Sequence, residues 1–232
     1  MKLLALETAT EGCSVALWLD GEVVERFEVA PRRHAELALP WAEALLAEAG
    51  VGRRQLDAIA VGRGPGAFTG VRLAIAMAQG IALALDRPLL PVSTLAALAM
   101  RGPAGQVLAA IDARMGEVYV AAFQRTGVDV APLDSERVQP PAEVRLPGDA
   151  VDGAWHGVGT GFAAGEGALG SALSGHLATV AANELPHAAD VARLASRAFE
   201  RGGVVPAERV EPAYLRNNVA LTLAEQQARR SG

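Results

Sequence analysis

At 232 residues, with 51% apolar residues but only 4% aromatics, the chain has room for one large domain or two lobes and must build its core from Ala, Leu and Val. A net charge of −5 and a pI near 5.4 leave no basic face of the kind a salt-sensitive nucleic-acid binder uses. The single cysteine, Cys13, excludes an internal disulfide or a cysteine-rich metal site and suits a reducing cytoplasm.

The first segment, KLLALETATEGCSVALWLDGEVV (2–24), is an apolar run ending in Glu7, a small-residue turn with Gly12, a second apolar run and a break at Asp20-Gly21. That pattern predicts a β-hairpin. Glu7 cuts the apolar run too early for an export signal, so a cytoplasmic, soluble protein is expected. Over 35–49, Leu37, Trp41, Leu45 and Ala49 recur every four residues, a helical stripe ended by Gly50 and Gly52. Pro40 starts that helix near Leu39 or kinks it. A short buried strand at 56–62 runs into RGPGAFTGVR (63–72), then a helix, then a strand at 88–92, which together describe a parallel α/β crossover. The nearly uncharged stretch 73–85 is shorter than the roughly 20 residues a membrane span needs.

The plan then repeats. QVLAAIDARMGEVYVAAFQRTG (106–127) places Asp112 and Gly116 where the first hairpin has Glu7 and Gly12, with a break at Thr126-Gly127. Either the chain is a duplication of one unit or two hairpins merely look alike. Beyond it, 132–152 is loop-rich, 154–161 reads as a strand and glycine turn, and 187–201 as a helix. PAYL (212–215) leads into a polar segment.

The glycine-rich loop lacks the Lys-Ser/Thr pair of a P-loop and the spacing of a dinucleotide fingerprint, and Pro65 removes an amide that would cradle phosphate. A structural turn fits better than a nucleotide clamp, although a helix N-terminus beside Arg72 still favours an anion. In the helix that follows, only Arg72, Gln79 and Asp86 are polar. Two seams of small residues run along it: Ala74, Ala78 and Ala82, and Ala76, Gly80 and Ala84. A helix apolar all round needs a second cover, from this chain or from a partner.

Glu7, Thr8, Thr10, Glu11 and Ser14 form an acid-and-hydroxyl turn that either positions Mg²⁺ and phosphates or simply turns the chain. His34, His156, His176 and His187 lie far apart with no i, i+4 pair, so no metal is expected. Ser14 lacks a nucleophile elbow.

LALETAT (4–10), GRGPGAFTGVRLAIAMAQGIALALDRPLLPVSTLAALA (62–99), IDARMGEVYVAAF (111–123) and PAYLRN (212–217), with His34 and Pro40, resemble the bacterial TsaB (YeaZ) family, the non-catalytic partners in making threonylcarbamoyladenosine on tRNA. The resemblance implies an α/β fold of two ribonuclease-H-like lobes in the actin/Hsp70-like manner, mixed sheets flanked by helices. The first lobe would be 1–103 and the second 104–232, with the C-terminal segment returning to the first. It also implies that Thr94 and Leu98 stand where the catalytic relative, TsaD, carries two metal-binding histidines. The implied role is a scaffold pairing through first-lobe helices with a TsaD-like subunit that modifies adenosine 37 of ANN-decoding tRNAs. A TsaE-like ATPase is a further partner, and the chain forms a homodimer when alone. It meets tRNA only through the complex and no membrane, and it binds no cofactor itself, ATP and Mg²⁺ serving the complex. Interface candidates are Leu37, Trp41, Leu45, Ala74, Met77, Ala78 and Ile81. Vestigial nucleotide contacts would come from Glu7, Thr8, Thr10, Glu11, Arg72 and Asp112. The rival readings are a kinase or ATPase of the same fold, or a peptidase.

Overall fold

The computed structural model describes residues 1–148 and 154–216. The first sheet holds β1 (Lys2–Glu7), β2 (Gly12–Leu19), β3 (Glu22–Val29), β4 (Ala58–Gly62) and β5 (Leu89–Val92), in the order β3-β2-β1-β4-β5. The first three strands are antiparallel, and β4 and β5 add in parallel. Helix α1 (His34–Glu48) joins β3 to β4, α2 (Phe68–Leu85) joins β4 to β5, and α3 (Thr94–Ala99) follows. The predicted hairpin is real, and Asp20 and Gly21, both at positive φ, turn it into the third strand that hydropathy did not separate.

The second sheet repeats this order. It contains β6 (Gly105–Arg114), β7 (Glu117–Thr126), β8 (Asp129–Pro132), β9 (Arg137–Gln139), β10 (Trp155–Val158) and β11 (Leu177–Ala181), in the order β11-β10-β6-β7-β8, with β9 also on β7. Helix α4 (Ala168–Ala172) precedes β11 and α5 (Ala188–Glu200) follows it. Three antiparallel strands and two parallel ones occur twice in the same arrangement, which makes the sequence repeat a topological one. Strand β9 lies in the stretch that composition marks only as loop, and β8 ends where that stretch begins.

Alternation explains the layers. In β1, Leu4 and Leu6 face one cluster with α1 and α2, while Leu3 and Ala5 face another with α5. Strand β4 divides likewise, Ile59 and Val61 against Ala58 and Ala60. A strand buried on both faces reads as one continuous apolar run. Small residues on the second face let Ala188, Ala192 and Ala195 of α5 approach closely, which is how a core poor in aromatics stays packed.

The lobes exchange helices. Leu95 and Leu98 of α3 bury into the second sheet's core, whereas α5, from the second half of the sequence, covers the first sheet. Past α5 the chain remains on the first lobe: Val205 bridges Leu89, and Gln79 donates to the carbonyls of Ala207 and Val210. The strands of the two sheets thus fall on either side of the segment between Val92 and Gly105, whereas the helices do not follow that division.

Helix α1 runs unbroken through Pro40, which is exposed, as is Glu36, whose carbonyl loses its intrahelical partner. Its buried line is His34, Ala38, Ala42, Leu45 and Leu46, one step round from the expected stripe. Helix α2 begins at Phe68, earlier than the apolar run, and by length and composition alone it could cross a membrane. Its inner face is nevertheless buried on the first sheet.

Candidate functional site

The loop between β4 and α2 lies directly on the turn between β1 and β2. The Ala67 amide donates to the Ala9 carbonyl at 2.7 Å, and Thr8 Oγ1 donates to the Gly70 carbonyl at 2.7 Å. A Cβ on Gly66 or Gly70 would overlap the carbonyl oxygens of Ala9 and Thr8. These glycines serve close backbone approach, and the Ala67 amide at the head of α2 is engaged internally. On the outer side, the Arg72 guanidinium lies 3.2 Å from the Phe68 ring centroid and 4.9 Å from that of Tyr214, and donates to Tyr214 Oη at 2.6 Å.

The expected nucleotide contacts separate into two groups. Glu7 and Thr8 are fully buried, so their side chains face protein and not the space between the lobes. Thr10 is also buried: its Oγ1 accepts from the Gly12 amide, and its carbonyl meets His34 Nε2 at 3.0 Å. Thr10 nevertheless lines an interlobe cavity of about 780 Å³ with Glu11, Arg72 and Asp112, together with Arg32, Tyr119 and Tyr214. Within it, Arg114 reaches Glu11 of the first lobe at 2.8 Å and Asp112 of the second at 2.9 Å, so one guanidinium answers both acids. Residues 212–216 cross the cavity as a strap. The Ala213 amide donates to the Arg63 carbonyl at 2.8 Å, and Arg216 pairs with Glu117. The expectation for this segment is a return to the first lobe; the strap holds to the second lobe as well.

The proposed docking residues also divide. Ala74, Ala78 and Leu45 are buried inside the chain, which corrects their place in the interface set. Of the two seams on α2, the one through Ala74, Ala78 and Ala82 faces the sheet, and the one through Ala76, Gly80 and Ala84 faces outward. Leu37, Trp41, Met77 and Ile81 are half-buried and pack on the edge of the core. Between α1 and α2 runs a groove of about 520 Å³ lined by Leu39, Ala42, Leu46, Gly80, Ile81 and Ala84. Leu83, 66% exposed, stands beside it, and Leu39 in its lining is 43% exposed.

Other polar groups are structural. Leu98 is buried among Leu95, Val107 and Ala109, and Thr94 bonds Glu7 and the Gly64 amide. Ser14 is buried and donates to Glu25 at 2.6 Å. Glu25 also meets His187 Nδ1 at 2.8 Å and accepts from the Ala189 amide at 2.9 Å, capping α5 from β3. Burial opposes its charge, but His187, Ser14 and the amide outweigh that and hold the carboxyl below its ordinary range. Burial, helped by the charge of Glu28, pushes the Cys13 thiol up to about 11, far from a reactive thiolate. Nothing local in the sequence pairs Glu25 with a helix 160 residues away, so this cap escaped sequence reading.

Two sheets of the same order, each with its helices, meeting at a cleft between corresponding strand ends, define a two-lobed protein of the actin/Hsp70-like class. Residues 27–223 match the profile of the family described as TsaD: tRNA N6-adenosine threonylcarbamoyltransferase. The tRNA threonylcarbamoyladenosine biosynthesis protein TsaB of Escherichia coli is 44% identical, over 95% of this chain and 96% of its own. The Haemophilus influenzae protein of the same name is 40% identical over 94% and 95%. Among solved structures, YeaZ from Pseudomonas aeruginosa superposes with a TM-score of 0.82 at 47% identity, over 92% of this chain and 99% of that one. A second structure from that organism, described as similar to peptidase YeaZ, gives 0.85 at 48%, over 93% and 99%. The chain belongs to the TsaB (YeaZ) family.

Proposed function

We propose that this chain acts in tRNA threonylcarbamoyladenosine biosynthesis as a non-catalytic docking subunit, pairing through the outer face of α1 and α2 with a TsaD-like catalytic subunit. The observation that carries this reading is the uncovered seam of Ala76, Gly80 and Ala84 beside Leu83 and an apolar groove. Small residues at spacing four admit a second helix at close range, and a specific complex needs roughly 800 Å² from each side. The pathway named for its relatives supplies the context. The non-catalytic part of the proposal is supported by Thr94 and Leu98, both buried in the core, which the family resemblance puts in the places of two metal-binding histidines of TsaD. In this reading ATP and Mg²⁺ are handled by the complex and a TsaE-like ATPase, and the same face pairs two copies of this chain when no partner is present.

The test is to mix the chain with its TsaD-like subunit and measure complex mass by light scattering and threonylcarbamoylation of tRNA. Gly80→Arg and Leu83→Asp each place bulk or charge on the outer face without touching the core, since a Cβ on Gly80 meets nothing within 4 Å. Both are expected to abolish the complex and the tRNA product while leaving a folded monomer. A complex that forms undiminished with both variants places docking elsewhere.

A further inference from the structure

The C-terminal ends of β1, β4 and β5 converge on one buried carboxyl. Glu7 Oε1 accepts from the Ala9 amide at 2.7 Å, and Oε2 accepts from Thr94 Oγ1 at 2.9 Å. Thr94 Oγ1 in turn accepts from the Gly64 amide at 3.1 Å, and the Thr94 amide donates to the Gly64 carbonyl at 2.9 Å. Gly62 closes the site, because a Cβ there would overlap the carboxylate. A relay therefore runs from the Gly64 N–H through the Thr94 hydroxyl to Glu7, and it holds the loop from which α2 starts.

No ionised neighbour answers this carboxyl among the described residues. Across the hairpin stands Ser14, whose hydroxyl goes to Glu25. Arg63, on the same loop, turns to Glu136, and Ser93 also bonds Glu136. Arg72, on α2, lies on Phe68 and Tyr214, and His34, on α1, meets the Thr10 carbonyl. Burial raises the Glu7 carboxyl to about 7, against smaller opposing contributions from hydrogen bonds with Ala9, Thr94 and Thr8. A buried acid without a counter-charge is expensive to keep ionised, whereas an amide of the same shape would fill the space without that cost.

The two protonation states treat the loop differently. When Glu7 is ionised, every donor in the relay points toward it, and aligned bonds polarise and strengthen one another. When Glu7 is protonated, its own O–H must be donated, and Thr94 is the hydroxyl in reach. Thr94 would then accept from both Glu7 and Gly64, and its hydrogen would lose its acceptor. We infer that Glu7 is a positioning residue for partner docking, its carboxylate fastening the Gly64–Thr94 junction that aims α2 and its protonation loosening that junction. The inference rests on the docking role proposed for the α2 face.

The experiment compares the full chain with Glu7→Gln and Thr94→Val between pH 6 and 8. One readout is affinity for the TsaD-like subunit by calorimetry, and the other is hydrogen exchange of the 64–70 amides in the chain alone, corrected for intrinsic rates. The unaltered chain is expected to gain about fivefold or more in affinity toward pH 8 beyond any change seen with the variants, and to protect these amides more strongly. Both variants should be flat by comparison, and Thr94→Val keeps the test available should Glu7→Gln fold poorly. Amide protection with the same pH profile in all three proteins overturns the inference. If protection responds to pH as expected but no complex forms at all, the docking role fails while the relay stands.

Discussion

Thr8 Oγ1 donates to the Gly70 carbonyl at 2.7 Å, and the two backbones are so close that a Cβ on Gly70 would run into the Thr8 carbonyl oxygen. The first turn of α2 is thereby seated on the first hairpin with no space for a side chain. Gly70→Ala is expected to cost about 1–3 kcal/mol, since the obstruction is backbone and cannot rotate away. Gly80→Ala, on the same helix but facing open space, is expected to stabilise the isolated chain by up to about 1 kcal/mol through helix propensity. Thermal denaturation of the two variants checks both signs.

The seams of α2 make a matched pair. Ala78 is fully buried and Ala76 exposed, although their sequence surroundings are nearly the same. Ala78→Glu forces a charge into a closed core and is expected to unfold the chain or remove at least about 3 kcal/mol of stability. Ala76→Glu is expected to leave stability within about 0.5 kcal/mol and to act only on association. Urea titration of the monomer, beside a mass measurement of the complex, separates the two effects.

The contrast between Ala76 and Ala78 also shows where sequence reading reaches its limit. Periodicity places α2 and marks it as needing two covers, but with apolar residues all round it nothing in the pattern tells the sheet side from the open side. Only Leu4, Leu6, Ile59 and Val61, brought beneath it by the sheet, decide that Ala74 and Ala78 face inward. The duplication was legible because strand ends, turns and apolar runs recur in order. The helix exchange was not, since the pattern of α5 fixes its apolar side but not which sheet receives it. Glu7 and Asp112 likewise occupy corresponding strand ends, yet one is sealed by Gly62 and Thr94 and the other pairs with Arg114 in a cleft. Those surroundings are assembled by tertiary contacts alone.

Glu25 ties β3 to the start of α5 by accepting from Ser14 and the Ala189 amide and meeting His187. Glu25→Ala leaves buried donors without an acceptor and is expected to cost about 1–3 kcal/mol. Because the folded-state pKa lies below the ordinary value, this stabilisation is present above pH 4.5 and lost as pH falls through the depressed folded value. The variant's unfolding free energy should therefore decline less steeply in acid than that of the unaltered chain. Equal slopes below pH 4.5 would show that this cap does not depend on charge.

Glu7 carries the opposite linkage. Its carboxyl titrates near 7 in the folded chain against 4.5 unfolded, so the folded state binds the proton more tightly. The associated stability is complete below pH 4.5 and drains away as pH rises to about 7, a difference on the order of 3 kcal/mol. Global stability and local order thus respond in opposite directions. Ionising Glu7 charges the whole fold with desolvation, while the same charge tightens the bonds through Thr94 to Gly64. Glu7→Gln is expected to lose most of the decline in unfolding free energy between pH 5 and 7.5, measured by urea denaturation at fixed ionic strength. The variant should be the more stable of the two at pH 7.5 and lose that advantage toward pH 5. A decline as steep in Glu7→Gln as in the unaltered chain assigns it to another group.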